Sequence, residues 1–173
     1  MHKILALGTL AKDNMIYNDV ITRDLLGGSG LYFSVSASIF SKVYLVSVIG
    51  SDFPKKGFDI LNNNNINIIN VDIKKGKTFS WTGKYYPDKE RETVSSIEGV
   101  YSKYMPGKLR GNFYFKYVFL GSMHPKKQLN FINSNKIPKH KIISDTILGY
   151  IRSSRDDVIK VINNSRILLI NMF

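Results

Sequence analysis

The 173-residue chain is 43% hydrophobic and 22% charged, has a formal net charge of +12 and contains no cysteine. This composition excludes a disordered chain, disulfides and thiolate metal sites, and no apolar run approaches the ~20 residues that span a bilayer. Because the apolar stretch at the N-terminus is also too short for a secretion signal, we expect a cytoplasmic protein with no membrane partner.

The first part of the chain predicts strands alternating with helices. Apolar stretches bounded by turn residues predict strands at 3–7, 43–49 and 67–73, and an extended piece near 15–22. A helix is predicted over 30–41, because Leu31, Val35 and Ile39 recur every four residues on one face. A second helix is predicted to begin at Pro54, with Ser51 or Asp52 as its cap.

The middle of the chain has a different pattern. Residues 77–86 alternate polar and aromatic side chains, and a second extended stretch follows at 91–95. Two half-exposed strands joined by a turn form a hairpin, which suits a flap better than a buried parallel sheet. Trp81, Tyr85 and Tyr86 could stack against a ligand, although aromatic side chains on such a face are more often packing residues.

The last part of the chain returns to alternating strands and helices. Strands are predicted at 115–120, 142–145 and 167–171, with helices over about ten residues from Pro125 and over 155–163. His124 is predicted to cap the first of these helices. The pattern is typical of an α/β fold, in which ligand groups lie just past the carboxyl ends of strands. A chain that stops at such a strand end indicates a fragment.

A glycine-rich loop, Gly27-Gly28-Ser29-Gly30, comes directly before the helix at 30–41. Glycine allows a ligand to approach the main chain closely, and a helix start presents unpaired N–H groups to a polar ligand. The alternative is a tight turn with no ligand, since short glycine motifs are weak signals.

Taken together, several segments resemble the N-terminal half of the PfkB (ribokinase-like) family of sugar and nucleoside kinases. The turn Gly8-Thr9-x-x-x-Asp13 is similar to the family's first-strand motif, and the glycine loop to its substrate loop. The hairpin from Thr78 to Ser95 is similar to its β-flap. Further similar segments are Val48–Phe53, Phe119–Pro125, Asp145-Thr146 and Ile170-Asn171.

The resemblance implies a fold and a set of site residues. It implies a Rossmann-type three-layer sandwich over 1–173, with its C-terminal part missing and a small β lid formed by residues near 13–22 and 77–96. The substrate-binding residues it implies are Asp13, Gly27, Gly28, Ser29 and Tyr32. Tyr32 stands where the family commonly has Asn. Asn171 begins an incomplete Asn-x-x-Glu motif for magnesium and phosphate, whose Glu would lie beyond Phe173.

The resemblance also implies an activity, the ATP-dependent phosphorylation of a hydroxyl on a sugar or nucleoside. ATP and Mg²⁺ are the implied cofactors of the full-length parent. The family's Gly-Ala-Gly-Asp element, which supplies the general base and part of the nucleotide site, is missing from the sequence. We therefore expect no catalytic residue, no cofactor and no kinase activity for these 173 residues. Two alternatives stay open: a non-catalytic sugar- or nucleoside-binding remnant, with a possible homodimer through the lid, and a truncated gene product without function.

The positive charge is spread along the whole chain. Lysines outnumber arginines 19 to 6, and pairs such as Lys55-Lys56, Lys74-Lys75 and Lys126-Lys127 lie near turn signals, where solvated charge is expected. We expect no nucleic-acid partner, although an attraction for anionic small molecules remains open. No metal site is expected, because the histidines lie on separate predicted elements without ligand spacing.

Overall fold

Six strands rich in apolar residues pair in parallel to form the central sheet of the molecule. The computed structural model describes residues 2–170, so Asn171 lies outside the described residues. Across the sheet, the strands are β10 (Ile167–Leu169), β9 (Ile142–Asp145), β8 (Tyr117–Leu120), β1 (Lys3–Leu7), β4 (Lys42–Gly50) and β5 (Asn67–Lys74). No helix within residues 2–170 is long and apolar enough to cross a membrane.

Helices cover both faces of this sheet because its strands alternate apolar side chains between the faces. Val46 and Val48 of β4 belong to one core cluster, while Leu45 and Ile49 belong to the other. Helices α1 (Ser29–Ser38) and α2 (Lys55–Asn63) pack on the second cluster. Helix α3 (Pro125–Asn135) packs on the first, and α4 (Leu148–Ser153) leads into α5 (Arg155–Asn163), which contacts α3. The predicted three-layer α/β arrangement is confirmed.

A second sheet of four strands, named here the lid, extends from the edge where β1 ends. In sheet order its strands are β3 (Val20–Gly27), β2 (Ala11–Tyr17), β6 (Ser80–Tyr85) and β7 (Glu92–Ile97). The prediction of one extended piece at 15–22 is wrong. Asn18 and Asp19 have φ values of 47° and 59°, so the chain reverses there and forms a hairpin. The turn was missed because it lacks the Asn-Gly or Asp-Gly signal.

Two predictions about helix ends are wrong and one is confirmed. Helix α1 stops at Ser38, which leaves Ile39 outside the helix and 71% exposed instead of on the core face. Helix α2 is preceded by Pro54, and no side chain caps it. The Asp52 side chain instead accepts hydrogen bonds from Thr78. His124 does cap α3, since its Nδ1 accepts from the Lys126 N–H at 3.3 Å.

Lys127 departs from the prediction of solvated charge. It is 8% exposed, and its ammonium group donates hydrogen bonds to three main-chain carbonyls, those of Tyr101, Ser102 and Tyr104. The helical turn directs Lys126 to solvent and Lys127 inward, where the carbonyls replace water around the charge. Burial is the largest influence on its pKa and lowers it.

Candidate functional site

Polar residues follow four neighbouring strands at one edge of the central sheet. Because the strands are parallel, their carboxyl ends meet at this edge, where open α/β sheets bind ligands. The segments concerned are Gly8-Thr9 after β1, Ser51-Asp52 after β4, Gly121-Ser122 after β8 and Asp145-Thr146 at the end of β9. The lid and the start of α1 lie at the part of this edge where β1 ends. The Lys12 N–H donates to the Phe79 carbonyl within the lid, and the Gly30 N–H at the start of α1 donates to the Thr9 carbonyl.

The glycine loop brings the start of α1 into direct contact with the turn after β1. A Cβ on Gly8 would lie 2.5 Å from the Gly30 nitrogen, and a Cβ on Gly28 would lie 2.3 Å from the Thr9 carbonyl oxygen. Gly28 also has a φ of 97°, which disfavours other residues. The glycines therefore have a packing role in the structure, whether or not a ligand binds.

The first N–H groups of α1 are not free for a ligand, contrary to the expectation from the sequence. The Ser29 N–H donates to Thr9 Oγ1 at 3.2 Å, and the Gly30 N–H donates to the Thr9 carbonyl at 2.9 Å. The Leu31 and Tyr32 N–H groups both donate to the Gly28 carbonyl. A ligand that approached the start of α1 would contact side chains before it contacted the N–H groups of the helix.

Asp13 lies on lid strand β2, directly beside Gly27. The space that a Cβ on Gly27 would occupy is 2.0 Å from Asp13 Oδ2, so the glycine makes room for the carboxylate. Oδ1 of Asp13 is buried and has no hydrogen-bond partner. Burial is the largest influence on the Asp13 pKa and raises it, while the Trp81 main chain and the charge of Arg91 act in the opposite direction.

Trp81 lies next to Asp13 on the lid. The two residues are in register on β6 and β2, so their side chains are on the same side of the sheet. The indole lies over Gly83, its N–H donates to Thr93 Oγ1 at 3.1 Å, and the Arg91 guanidinium is 5.2 Å from the ring. The half-buried ring thus packs within the lid and remains partly accessible beside a carboxylate.

Two other residues predicted at the site lie on the first turn of α1. Ser29 Oγ is near both Gly8 and Gly121, at the ends of β1 and β8. Tyr32 is 64% exposed, and its hydroxyl donates to the Leu26 carbonyl at 3.2 Å. The structure therefore brings Asp13, Gly27, Gly28 and Ser29 together and places the Tyr32 side chain at the rim.

A set of ionic and hydroxyl contacts, named here the latch, joins the lid to the sheet edge. Lys12 of β2 is 3.3 Å from the carboxylates of both Asp24 and Asp52. Asp52 Oδ1 accepts from the Thr78 N–H at 2.6 Å and from the Thr78 hydroxyl at 2.7 Å. Sequence reasoning missed the latch because its members are far apart in the chain.

Asp145 and Ser122 form a second polar pair that the sequence did not reveal, where β8 and β9 end. The Ser122 hydroxyl donates to Asp145 Oδ2, and burial, the largest influence on the Asp145 pKa, raises it. The Gln128 amide fastens both strand ends by donating to the Gly121 carbonyl at 2.9 Å and the Asp145 carbonyl at 3.0 Å. Asp145-Thr146 and the segment from Gly121 belong to the resemblance, but the pairing depends on the fold.

The described residues do not by themselves fit a magnesium nucleotide. Mg²⁺ in phosphoryl-transfer sites is held by carboxylates together with phosphate oxygens, and residues 2–170 contain no cluster of three or more His, Cys, Asp or Glu that could hold a metal. Asn171, with which the implied magnesium and phosphate motif begins, is outside these residues.

No protein-family model matches the sequence, and no curated protein matches it significantly. Solved structures do match. The nucleoside kinase of Methanocaldococcus jannaschii, an archaeal member of the ribokinase family, has a TM-score of 0.74 at 19% identity, over 99% of this chain and 61% of that chain. Burkholderia thailandensis nucleoside kinase in complex with inosine has a TM-score of 0.78 at 13% identity, over 98% of this chain and 60% of that chain.

A putative ribokinase II from E. coli, in complex with ATP and Mg²⁺, has a TM-score of 0.75 at 12% identity, over 98% of this chain and 62% of that chain. This chain therefore spans about 60% of the length of the kinases it matches. Identities this low establish the fold, and a fold does not by itself establish a function. The predicted likeness to the ribokinase family is confirmed at the level of structure: the chain has the ribokinase-like α/β fold.

Proposed function

We propose that this chain is the acceptor-binding part of a kinase that phosphorylates a hydroxyl of a sugar or nucleoside. Asp13 is proposed to accept hydrogen bonds from two ligand hydroxyls, and Ser29 to donate from the sheet edge. Gly27 and Gly28 leave room for the Asp13 carboxylate and the Thr9 main chain, which form the proposed site, and Tyr32 lines the rim. ATP and Mg²⁺ are the proposed cofactors of the complete enzyme, and a cytoplasmic setting belongs to the same proposal.

The observation that supports this proposal most is the unpaired buried oxygen of Asp13. A buried acceptor without a partner costs on the order of 1–3 kcal/mol, so such groups are rare unless they have a use. A carboxylate suits a vicinal diol, because its two oxygens can accept one hydrogen bond from each hydroxyl. The adjacent Trp81 ring offers an apolar surface for a sugar or a base.

Binding of inosine and ribose tests the proposal. Inosine is chosen because the Burkholderia thailandensis neighbour is described in complex with it. We expect heat of binding in calorimetry for at least one of the two ligands. Asp13→Asn should weaken that binding about tenfold or more through the loss of charge-assisted hydrogen bonds. Asp88→Asn, which changes an exposed carboxylate in the lid turn, is the matched control and should bind as the native chain does. Native affinity in Asp13→Asn would contradict the assigned role.

We expect no phosphotransfer from the 173-residue chain alone. The element that the resemblance assigns to the general base and the nucleotide, Gly-Ala-Gly-Asp, does not occur in the sequence. An assay of ATP consumption with inosine or ribose present checks this, and any turnover above a heat-denatured control would refute it. Binding without turnover would also fit the alternative of a non-catalytic binding protein.

A homodimer through the lid is the partner arrangement that we propose. Both edge strands of the lid, β3 and β7, are exposed along most or all of their length. Their exposed side chains include the apolar residues Val20 at 67%, Ile21 at 47%, Val94 at 55% and Ile97 at 47%. Exposed strand edges that carry apolar side chains favour association with another chain.

A further inference from the structure

A cavity of about 540 Å³ lies between the end of β5 and the segment that follows β7. Its volume is in the range of small-molecule sites. None of its lining residues is Asp13, Ser29 or a member of the glycine loop, so it is separate from the candidate acceptor site. The proposed function gives it no role.

Four lysines surround this cavity: Lys74, Lys75, Lys77 and Lys103. No Asp or Glu is among the lining residues, and the carboxylate nearest in sequence, Glu98, is not one of them. Within residues 2–170, none of the four lysines takes part in a salt bridge. Like charges held together without a counter-charge repel one another, and a bound anion would relieve that repulsion.

The cavity also has an apolar floor. Val48 of β4 is 3% exposed and Tyr104 is 8% exposed, and both line the cavity together with Val100. A bare inorganic ion would make no use of this surface. The combination of an apolar floor with a cationic rim fits an organic anion, in which one end is charged and the other is flat or apolar.

Main-chain contacts hold the walls in place. The Val100 N–H donates to the Lys77 carbonyl at 2.9 Å, and the Ser51 N–H donates to the Gly76 carbonyl at 3.0 Å. Gly99 has a φ of 52°, and a Cβ at this position would lie 2.0 Å from the Lys77 carbonyl oxygen. The lysine-bearing segments are thus fixed to each other before any ligand arrives, which lowers the entropic cost of binding.

We propose that this cavity binds a phosphate-bearing small molecule of nucleotide size. The phosphate pairs with the lysines through charge-assisted hydrogen bonds, which lysine commonly provides to phosphate. The apolar or aromatic body lies on the floor formed by Val48, Val100 and Tyr104. This site is independent of the acceptor site at Asp13.

Adenosine monophosphate is the probe, and adenosine is its uncharged counterpart. Calorimetry of the 173-residue chain should show binding of the monophosphate that weakens as salt rises, because salt screens the lysine charges. The triple variant Lys74→Gln/Lys77→Gln/Lys103→Gln should lower the affinity about tenfold or more. The matched control Lys55→Gln/Lys56→Gln/Lys139→Gln removes the same charge from exposed lysines outside the cavity and should change the affinity less than about twofold.

Asp13→Asn separates the cavity from the acceptor site. In the Asp13→Asn variant, the amide shifts that the monophosphate causes in NMR spectra at Val48, Gly76 and Val100 should be the same as in the native chain. The proposal is overturned if the native chain does not bind the monophosphate, or if adenosine binds as tightly with shifts at the same residues. It is also overturned if the two triple variants lose equal affinity, or if Asp13→Asn abolishes the amide shifts at Val48, Gly76 and Val100. Thermal unfolding of each variant verifies that it is folded.

Discussion

The carboxylate of Asp13 occupies the space that any side chain on Gly27 would need. This explains at the level of single residues why an acidic residue and a glycine fourteen positions apart belong to one site. Asp13 is half-buried, its Oδ1 is buried and has no hydrogen-bond partner, and burial is the largest influence that raises its pKa. A buried acceptor without a partner lowers the stability of the free protein, which is the basis of the role proposed for Asp13.

Asp13→Asn should alter stability in a pH-dependent way. Because the folded pKa of Asp13 lies above the unfolded value of 3.8, ionisation of Asp13 destabilises the fold as the pH rises from 3.8 through the folded pKa. The asparagine variant does not ionise, so its stability relative to the native chain should increase between pH 4 and pH 7. Urea unfolding at several pH values measures this difference. A difference that stays constant with pH, or decreases, would show that the carboxylate is not destabilised by burial.

Gly27→Ala should be destabilising because the new methyl group would collide with Asp13. The expected loss is about 1–3 kcal/mol, typical of overpacking at a filled position. Gly107→Ala is the control, since no heavy atom lies within 4 Å of a Cβ there, and it should change stability by less than about 0.5 kcal/mol. Denaturant unfolding compares the two variants, and equal effects would refute the assigned contact.

At the scale of elements, the latch fixes where the lid begins. Thr78 is almost fully buried just before β6, and its hydroxyl oxygen accepts from the Gly50 N–H at 3.0 Å while its hydroxyl proton goes to Asp52. Lys12 extends these contacts to lid strand β2, because its ammonium group lies 3.3 Å from the Asp52 carboxylate. Partial burial is the largest influence on the Asp52 pKa and would raise it, but the bonds from Thr78 and Lys12 outweigh burial, so the pKa is lowered.

Thr78→Val keeps the shape of the side chain and removes the latch hydroxyl. It leaves the Gly50 N–H and one carboxylate oxygen without this partner, so we expect a loss of about 1–3 kcal/mol at pH 7. Since the folded pKa of Asp52 is lowered, its contribution is present above the unfolded value of 3.8 and lost as pH falls through the folded pKa. The loss should therefore shrink in acid. Urea unfolding of Thr78→Val and of the exposed control Thr22→Val checks this, and equal losses in both would argue against a latch.

At the scale of the whole molecule, two of the regions with exposed apolar side chains are at sheet edges. One is the lid, with Val20 and Val94. The other is the β10 edge of the central sheet, where burial falls along one row of register partners: Phe119 is 4% exposed, Ile143 is half-buried and Ile167 is 44% exposed. Either region could mediate association, so a test of the proposed lid dimer must distinguish them.

Charge placed on the lid should prevent the proposed dimer. Val20→Lys/Val94→Lys adds two positive charges to the edge strands, and like charges across a two-fold interface repel each other. Ile39→Lys/Ile167→Lys adds the same charge outside the lid. Sedimentation velocity should show a dimer for the native chain and the second variant and a monomer for the first. A monomeric native chain, or dissociation by the second variant only, would show that the lid is not the interface.

Most of the architecture was predictable from local patterns. Apolar runs bounded by turn residues, helical spacing and the His124-Pro125 helix start predicted nearly every strand and helix, because these signals act within a few residues. Errors occurred where local signals were weak: the Asn18-Asp19 turn, the end of α1 before Ile39 and the burial of Lys127. The burial of Lys127 depends on main-chain carbonyls of a distant segment, those of Tyr101, Ser102 and Tyr104.

The sequence by itself determined the α/β class and the order of most elements, and it supplied the acceptor residues that remain a proposal. Only the tertiary structure decided which atoms the glycines make room for, which of the first N–H groups of α1 are already bonded, and that the Asp13 carboxylate lies beside Gly27. It also placed four exposed lysines, Lys74, Lys75, Lys77 and Lys103, around one cavity. The physical reason is that hydrogen-bond satisfaction and burial depend on neighbours far apart in the chain, and folding alone brings those neighbours together.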